Sequence, residues 1–105
     1  MKTLNLALKR IHFLEIHSGE KKEEFRAFTD YYVDRLAVKN EDGSFAGFRD
    51  IEAVHFFSGS YENAPEMIVE VKEIFLNPEM KWEKRTEANT DFVIVLGNIL
   101  EKKNC

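Results

Sequence analysis

The sequence predicts a small, mostly β domain of the α+β type, closed or nearly closed into a barrel with one or two short helices at its side. Several segments alternate apolar and polar residues with the period of two that a half-buried strand shows. Few segments change to helical spacing. The chain of 105 residues also contains nine Phe, and such bulky planar side chains can fill the interior of a small barrel.

The length and composition indicate one globular domain over residues 1–105, because a chain of this size supports a single core. Hydrophobic residues make up 44% and charged residues 32% of the chain, which is typical of an ordinary soluble protein. The net charge of −4 argues against binding of a long nucleic-acid duplex. The acidity lies in residues 51–105, which leaves room for a local basic patch around Lys21.

Cysteine and histidine usage argues against a disulfide framework and against a metal site. The single Cys is the last residue, Cys105. His12 and His17 are five residues apart, so they do not converge on one face of a helix, and His55 lies in a predicted strand. We expect no metal and no cofactor. No segment resembles a signal peptide or a membrane span, so we expect a cytoplasmic protein without a membrane partner.

The first third of the chain predicts a strand, a helix and a second strand. Alternating leucines predict the strand at residues 4–8. Residues 9–18 change to helical spacing with a broad apolar stripe, and Gly19 sits where a left-handed helix cap is expected. Residues 21–28 alternate again. As a strand, they would place Glu24 and Arg26 on one face, with Phe25 helping to tie this charged stretch to the core.

The remainder of the chain predicts a second short helix and further strands. Thr29 or Asp30 can cap a helix that ends at Leu36. Residues 40–44 have strong turn chemistry. The other predicted strands are residues 51–57, 66–76 and 91–96. The polar connection 77–90, anchored by Trp82, is left without an assigned structure, and the tail 101–105 is expected to be frayed.

The charged stretch at residues 18–26 is the best candidate for a functional site. Lys21, Glu24 and Arg26 follow directly on the expected helix stop. In a partly desolvated pocket, a Lys beside carboxylates can transfer protons and a Glu can act as a general base. Glu70, flanked by apolar strand residues, would need a cationic partner, which Lys21 or Arg26 could supply. The alternative is a solvated ladder of opposite charges at a sheet edge.

These residues resemble a known family. Gly19-x-Lys21-x-x-Glu24-x-Arg26 is similar to the G-x-K-x-x-E-x-R signature of ASCH domains, small β-barrels of the PUA-like superfamily. The segment 56–67 also resembles a family segment of the type F-x-x-G-Y-x-x-A-P. The resemblance implies a pocket for RNA, a nucleotide or a modified nucleoside.

The resemblance also implies roles for individual residues. One branch of the family removes the acetyl group of N4-acetylcytidine with a Lys, a Thr and a Glu, which fall on Lys21, Glu24 and Glu70. Glu24 in place of Thr is a departure, because a carboxylate would change the acyl intermediate to an anhydride. The candidate catalytic residues are therefore Lys21, Glu24 and Glu70. The candidate ligand-binding residues are Arg26, Lys22, Ser58, Gly59 and Tyr61.

Three functions remain open from the sequence. The first is a binding domain for RNA or a nucleotide, with Tyr61 or a Phe stacking on a base. The second is a hydrolase, a ribonuclease or a modified-base deacylase, in which Lys21 and Glu70 are the acid–base pair and Glu24 is an orienting group or second acid. The third is a structural module that dimerises. The chain is expected to be a monomer or a homodimer.

Overall fold

A computed structural model of the protein describes residues 2–105 and shows a mostly β domain with two α-helices. The elements in chain order are β1 (Thr3–Ala7), α1 (Arg10–His17), β2 (Glu23–Ala27), α2 (Asp30–Leu36), β3 (Ala37–Lys39), β4 (Phe45–Phe48), β5 (Ala53–Phe57), β6 (Glu66–Asn77) and β7 (Asp91–Lys103). One turn of 3₁₀-helix, Trp82–Lys84, interrupts the connection between β6 and β7.

The main sheet has five strands in the order β1-β5-β6-β7-β2. β1 and β5 are parallel, and the other neighbouring pairs are antiparallel. The sheet curls into a half-barrel, with β1 and β2 as its two end strands. β3 and β4 form a separate hairpin. The predicted class, a mostly β, barrel-like domain with one or two short helices, is confirmed, and the curl of the sheet amounts to a half-barrel.

Two apolar clusters form the core. The first joins the inner faces of the strands to α1, whose Phe13 and Ile16 are buried. The second joins α2 to Phe92 of β7 and to the hairpin. Burial on α1 is narrower than the broad stripe that the sequence predicted, because Ile11 is 64% exposed and Leu14 is 49% exposed. Gly19 has the expected left-handed conformation at the end of α1, with φ of 85°.

The segment that the sequence left unassigned covers the second core cluster. Trp82 lies edge-on to Phe28, with ring centroids 5.3 Å apart, and stacks on Phe45 at 4.9 Å. Its indole Nε1 donates a hydrogen bond to the carbonyl of Gly43 at 3.1 Å. Residues 77–90 therefore fasten the β3–β4 hairpin to the sheet.

The tip of that hairpin has the predicted turn chemistry. The Asp42 carboxylate accepts hydrogen bonds from the Ser44 hydroxyl at 2.6 Å and from the Ser44 backbone N–H at 2.9 Å. These hydrogen bonds lower the pKa of Asp42 below its ordinary value, and the bond from the Ser44 hydroxyl has the larger effect. Because the pKa of Asp42 is lower in the folded state, its ionised carboxylate stabilises the turn at pH values above the ordinary pKa of an Asp. This contribution is lost as the pH falls through the folded-state pKa.

The expectation of a frayed tail is wrong for most of its length. β7 continues to Lys103, which pairs with Glu66, while Glu101 pairs with Ile68. The reason lies in β6, which is 12 residues long. The first half of β6 pairs with β5 along one edge, and its backbone groups on the other edge also require hydrogen-bond partners. The end of β7 lies beside that edge and supplies them.

An irregularity in the β6–β7 pairing determines where Glu70 points. The register shifts around Val69 and Val71, opposite Gly97 and Asn98. Val69 is buried in the first core cluster, so its neighbour Glu70 points to the outer face of the sheet. There, its Oε1 accepts a hydrogen bond from the backbone N–H of Asn98 at 3.3 Å. Glu70 lies directly over Gly97, where a Cβ would overlap its carboxylate.

We predict that Gly97→Ala will lower the free energy of unfolding by about 1 kcal/mol, because the new methyl group displaces the Glu70 side chain from the bulge. Urea denaturation of Gly97→Ala, Glu70→Ala and the double variant measures the coupling. In the Glu70→Ala background the new methyl group has room, so Gly97→Ala should lower the free energy of unfolding much less there. Equal costs of Gly97→Ala in both backgrounds would contradict this account of Glu70.

Candidate functional site

A polar pocket of about 520 Å³ lies where the half-barrel fails to close. It is lined by the end of β1 and the start of α1, by β2 and the residue Lys21 before it, and by Tyr32 of α2. Because β1 and β2 are the two end strands of the sheet, the pocket fills the seam between them.

β2 buries a charged side chain and exposes an aromatic one, which is the reverse of an ordinary amphipathic strand. Glu24 is 4% exposed, whereas Phe25 is 50% exposed, so the expectation that Phe25 ties this stretch to the core is wrong. Glu24 pairs with Ile94, and Arg26 pairs with Phe92. Both β7 residues are buried core residues, which places the two charged side chains on the inner face of the sheet. The prediction that Glu24 and Arg26 share a face is confirmed.

The buried carboxylate of Glu24 is satisfied by three hydrogen bonds. Its Oε1 accepts from Lys21 Nζ at 3.1 Å and from the backbone N–H of Phe25 at 3.1 Å. Its Oε2 accepts from Arg26 Nη2 at 3.0 Å. A carboxylate has about four acceptor positions, so Glu24 has little capacity left for a ligand. Its role is to hold Lys21 and Arg26 in fixed positions.

Arg26 connects three elements at the seam. Its Nη2 also donates to the carbonyl of Ala7, at the end of β1, at 3.1 Å. Its Nη1 donates to the Tyr32 hydroxyl at 3.0 Å, and the guanidinium carbon lies 5.7 Å from the centre of the Tyr32 ring. One side chain thus joins β2, β1 and α2. Within residues 2–105, the buried Nε of Arg26 has no hydrogen-bond partner.

The lining of the pocket is net positive. Lys9, Lys21 and Arg26 carry positive charge, and Glu24 is the carboxylate among the lining residues. His12 also lines the pocket, with its Nδ1 3.2 Å from the Glu15 carboxylate. Lys21 uses one of its three ammonium donors on Glu24, and its side chain is 21% exposed. The arrangement can therefore bind an anionic group at the mouth of the pocket.

The structure brings together three of the predicted site residues, Lys21, Glu24 and Arg26. It does not bring Glu70 to them. Glu70 lies on the outer face and bonds to Asn98, so the expected pairing of Glu70 with Lys21 or Arg26 is absent.

The remaining predicted ligand-binding residues line other parts of the surface or pack locally. Lys22 is exposed and lines a separate cavity of about 280 Å³. Ser58 is buried, and its backbone N–H donates to the Pro65 carbonyl at 3.0 Å. Gly59 has φ of 102°, with the ring of Tyr61 where a Cβ would stand. Tyr61 is 61% exposed.

Sequence reasoning missed two contributions to the site. Tyr32 is not among the site residues that the sequence predicts, although its hydroxyl accepts a hydrogen bond from Arg26. Thr29 is the residue that caps α2, and its side chain accepts from the backbone N–H of Tyr32 at 3.3 Å. This short connection from β2 turns Tyr32 back toward Arg26. Lys9 was the second omission, because only the parallel pairing of β1 with β5 brings it to the seam.

Residues 2–105 contain no group of three or more His, Cys, Asp or Glu side chains that could hold a metal ion. Within the same residues, no helix has the length and apolar character to cross a membrane.

The fold and the pocket define a mostly β half-barrel protein with a polar, net positive pocket at its seam. No family model, no curated protein and no solved structure matches the chain.

We predict that Glu24→Ala will destabilise the fold by about 2–3 kcal/mol, because it leaves Lys21 and Arg26 half-buried without their carboxylate. Urea denaturation measures the change. The matched control is Glu23→Ala, which removes the same charge from an exposed neighbour and should change stability by less than about 0.5 kcal/mol. Equal effects of the two substitutions would show that the Glu24 network does not stabilise the seam.

Proposed function

We propose that the protein is a binding domain for RNA or a nucleotide, of the ASCH and PUA-like kind, and that the seam pocket is its ligand site. The observation that carries the proposal is the buried Glu24, which fixes Lys21 and Arg26 at the pocket wall. A buried carboxylate with two cationic partners costs desolvation energy. Positioning of the two cations for a ligand would account for a carboxylate buried at this cost.

The ligand would contact the pocket through its charge and through an aromatic face. The free ammonium donors of Lys21, together with Lys9, would bind a phosphate or another anionic group. Tyr32 of α2 lines the pocket and is partly exposed, so its ring is the aromatic surface on which a base could stack. The similarity of Gly19-x-Lys21-x-x-Glu24-x-Arg26 to the ASCH signature supports the same class of ligand.

Binding is favoured over hydrolysis by two features of the site. The hydrolase hypothesis uses Lys21 and Glu70 as an acid–base pair, but Glu70 lies on the outer face of the sheet and bonds to Asn98. A general base must come within hydrogen-bond reach of its proton. Glu24 does lie in the pocket, yet its carboxylate already accepts three hydrogen bonds.

We predict that a nucleoside monophosphate binds this protein more tightly than the matching nucleoside, and that Lys21→Met lowers the affinity for the monophosphate about tenfold. Isothermal titration calorimetry with both ligands measures the difference. The matched control is Lys72→Met, because Lys72 is exposed and does not line the pocket.

The affinity of the nucleoside should change little in Lys21→Met, since it lacks the phosphate. The proposal fails if no nucleoside, nucleotide or short RNA gives a binding signal at millimolar concentration. It also fails if Lys21→Met and Lys72→Met have the same effect.

A further inference from the structure

A second cavity lies at the opposite end of β1 and α2 from the seam pocket. Its volume is about 540 Å³, and its lining includes Lys2–Leu4, Arg35, Arg49 and Asp50. None of these residues belongs to the charged motif at residues 18–26. We call this cavity the arginine cavity.

The two arginines of this cavity are oriented without a carboxylate. Arg35 Nη1 donates to the carbonyl of Tyr31 at 3.0 Å, and its guanidinium carbon lies 3.4 Å from the centre of the Tyr31 ring. Arg49 Nε donates to the backbone carbonyl of Asp34 at 2.8 Å. Neither arginine forms an ion pair within residues 2–105. Their positive charges are held in place but not neutralised.

The acidic residue of the arginine cavity does little to offset this charge. Asp50 is paired with Lys2 at 4.0 Å, and the two side chains are 81% and 70% exposed. Such an exposed pair contributes little. Together, the two cavities are lined by six basic residues and two acidic ones, Glu24 and Asp50.

A row of two tyrosines with an arginine at each end connects the two cavities. Arg26 in the seam pocket lies 5.7 Å from the centre of the Tyr32 ring. Tyr32 contacts Tyr31 edge to face, with centroids 4.9 Å apart and an interplanar angle of 78°. Tyr31, which is 55% exposed, stacks against Arg35 in the arginine cavity. Basic groups interleaved with aromatic rings are the usual platform for single-stranded nucleic acid.

We infer that a single-stranded nucleic acid crosses this row, with one phosphate group at the seam pocket and another at the arginine cavity. β1 spans about 13 Å from Thr3 to Ala7 at about 3.3 Å per residue. At about 3.4 Å per phosphate along a stacked strand, this length holds about four nucleotides, and fewer if the strand is extended. The inference rests on the proposed function and extends it from a single nucleotide to a short strand.

The charge of the row favours a polyanion over a peptide. β1 is an end strand, and an extended peptide or a second copy of the chain could pair with its free edge. Such pairing would need no arginine in either cavity. It would also place a neutral backbone beside guanidinium groups that carbonyls and a tyrosine ring already orient.

The test compares a labelled oligouridylate of about six nucleotides with uridine monophosphate, using fluorescence anisotropy and calorimetry. We expect Arg35→Gln combined with Arg49→Gln to lower the oligonucleotide affinity about tenfold. Loss of the one phosphate neutralised at the arginine cavity should also reduce the slope of log K against log salt by about 0.7. The affinity for uridine monophosphate should stay within about twofold, since that ligand occupies only the seam pocket.

Two further double variants keep the test decisive. Arg35→Lys with Arg49→Lys retains both charges and should retain the salt slope, whereas Lys72→Gln with Lys84→Gln removes two exposed charges elsewhere and should change nothing. A thermal melt of each variant identifies loss of fold.

Each part of the inference can fail separately. Equal affinity for the oligonucleotide and uridine monophosphate would overturn the extended site. Oligonucleotide binding that ignores the arginine substitutions would overturn it too, and dimerisation through β1 would then be visible by light scattering. Oligonucleotide binding that depends on the arginines but not on Lys21→Met would instead overturn the proposed seam pocket.

Discussion

The bridge from Glu24 through Arg26 to the carbonyl of Ala7 is the interaction on which the seam depends. A sheet that curls into a barrel can close by backbone hydrogen bonds between its end strands. Here the end strands β1 and β2 are joined by the Arg26 side chain, which also reaches Tyr32 of α2. Closure by a side chain leaves space between the strands, and that space is the pocket.

The same bridge limits the chemistry of the pocket. Glu24 accepts three hydrogen bonds, and both hydrogens of Arg26 Nη2 are engaged by Ala7 and Glu24. Groups with their hydrogen bonds already made position their neighbours better than they react. Lys21 keeps free ammonium donors, and the Nε of Arg26 is a further donor without a partner within residues 2–105. In the proposed function, this arrangement would place one ammonium group and one guanidinium group against an anionic ligand.

The sequence predicted the elements well, since their periods and caps are local properties. It also predicted that Glu24 and Arg26 share a face, because a strand alternates strictly. It failed to predict which face is buried. From its apolar character, Phe25 would be expected to be the buried residue of β2. Glu24 is buried instead, because its carboxylate accepts three hydrogen bonds. The position of Glu70 depends on a register shift opposite Gly97, and the position of Trp82 depends on the distant hairpin. Neither relation leaves a local signal.

The acidic net charge and the basic row coexist because electrostatics at a protein surface is local. At physiological salt the Debye length is about 8 Å. Exposed acidic residues farther than that from the row are largely screened, whereas Arg35 and Arg49 would act at contact distance on the proposed ligand. The arginines are held by carbonyl groups and a tyrosine ring rather than by carboxylates. Their full charge therefore remains available in a protein of net charge −4.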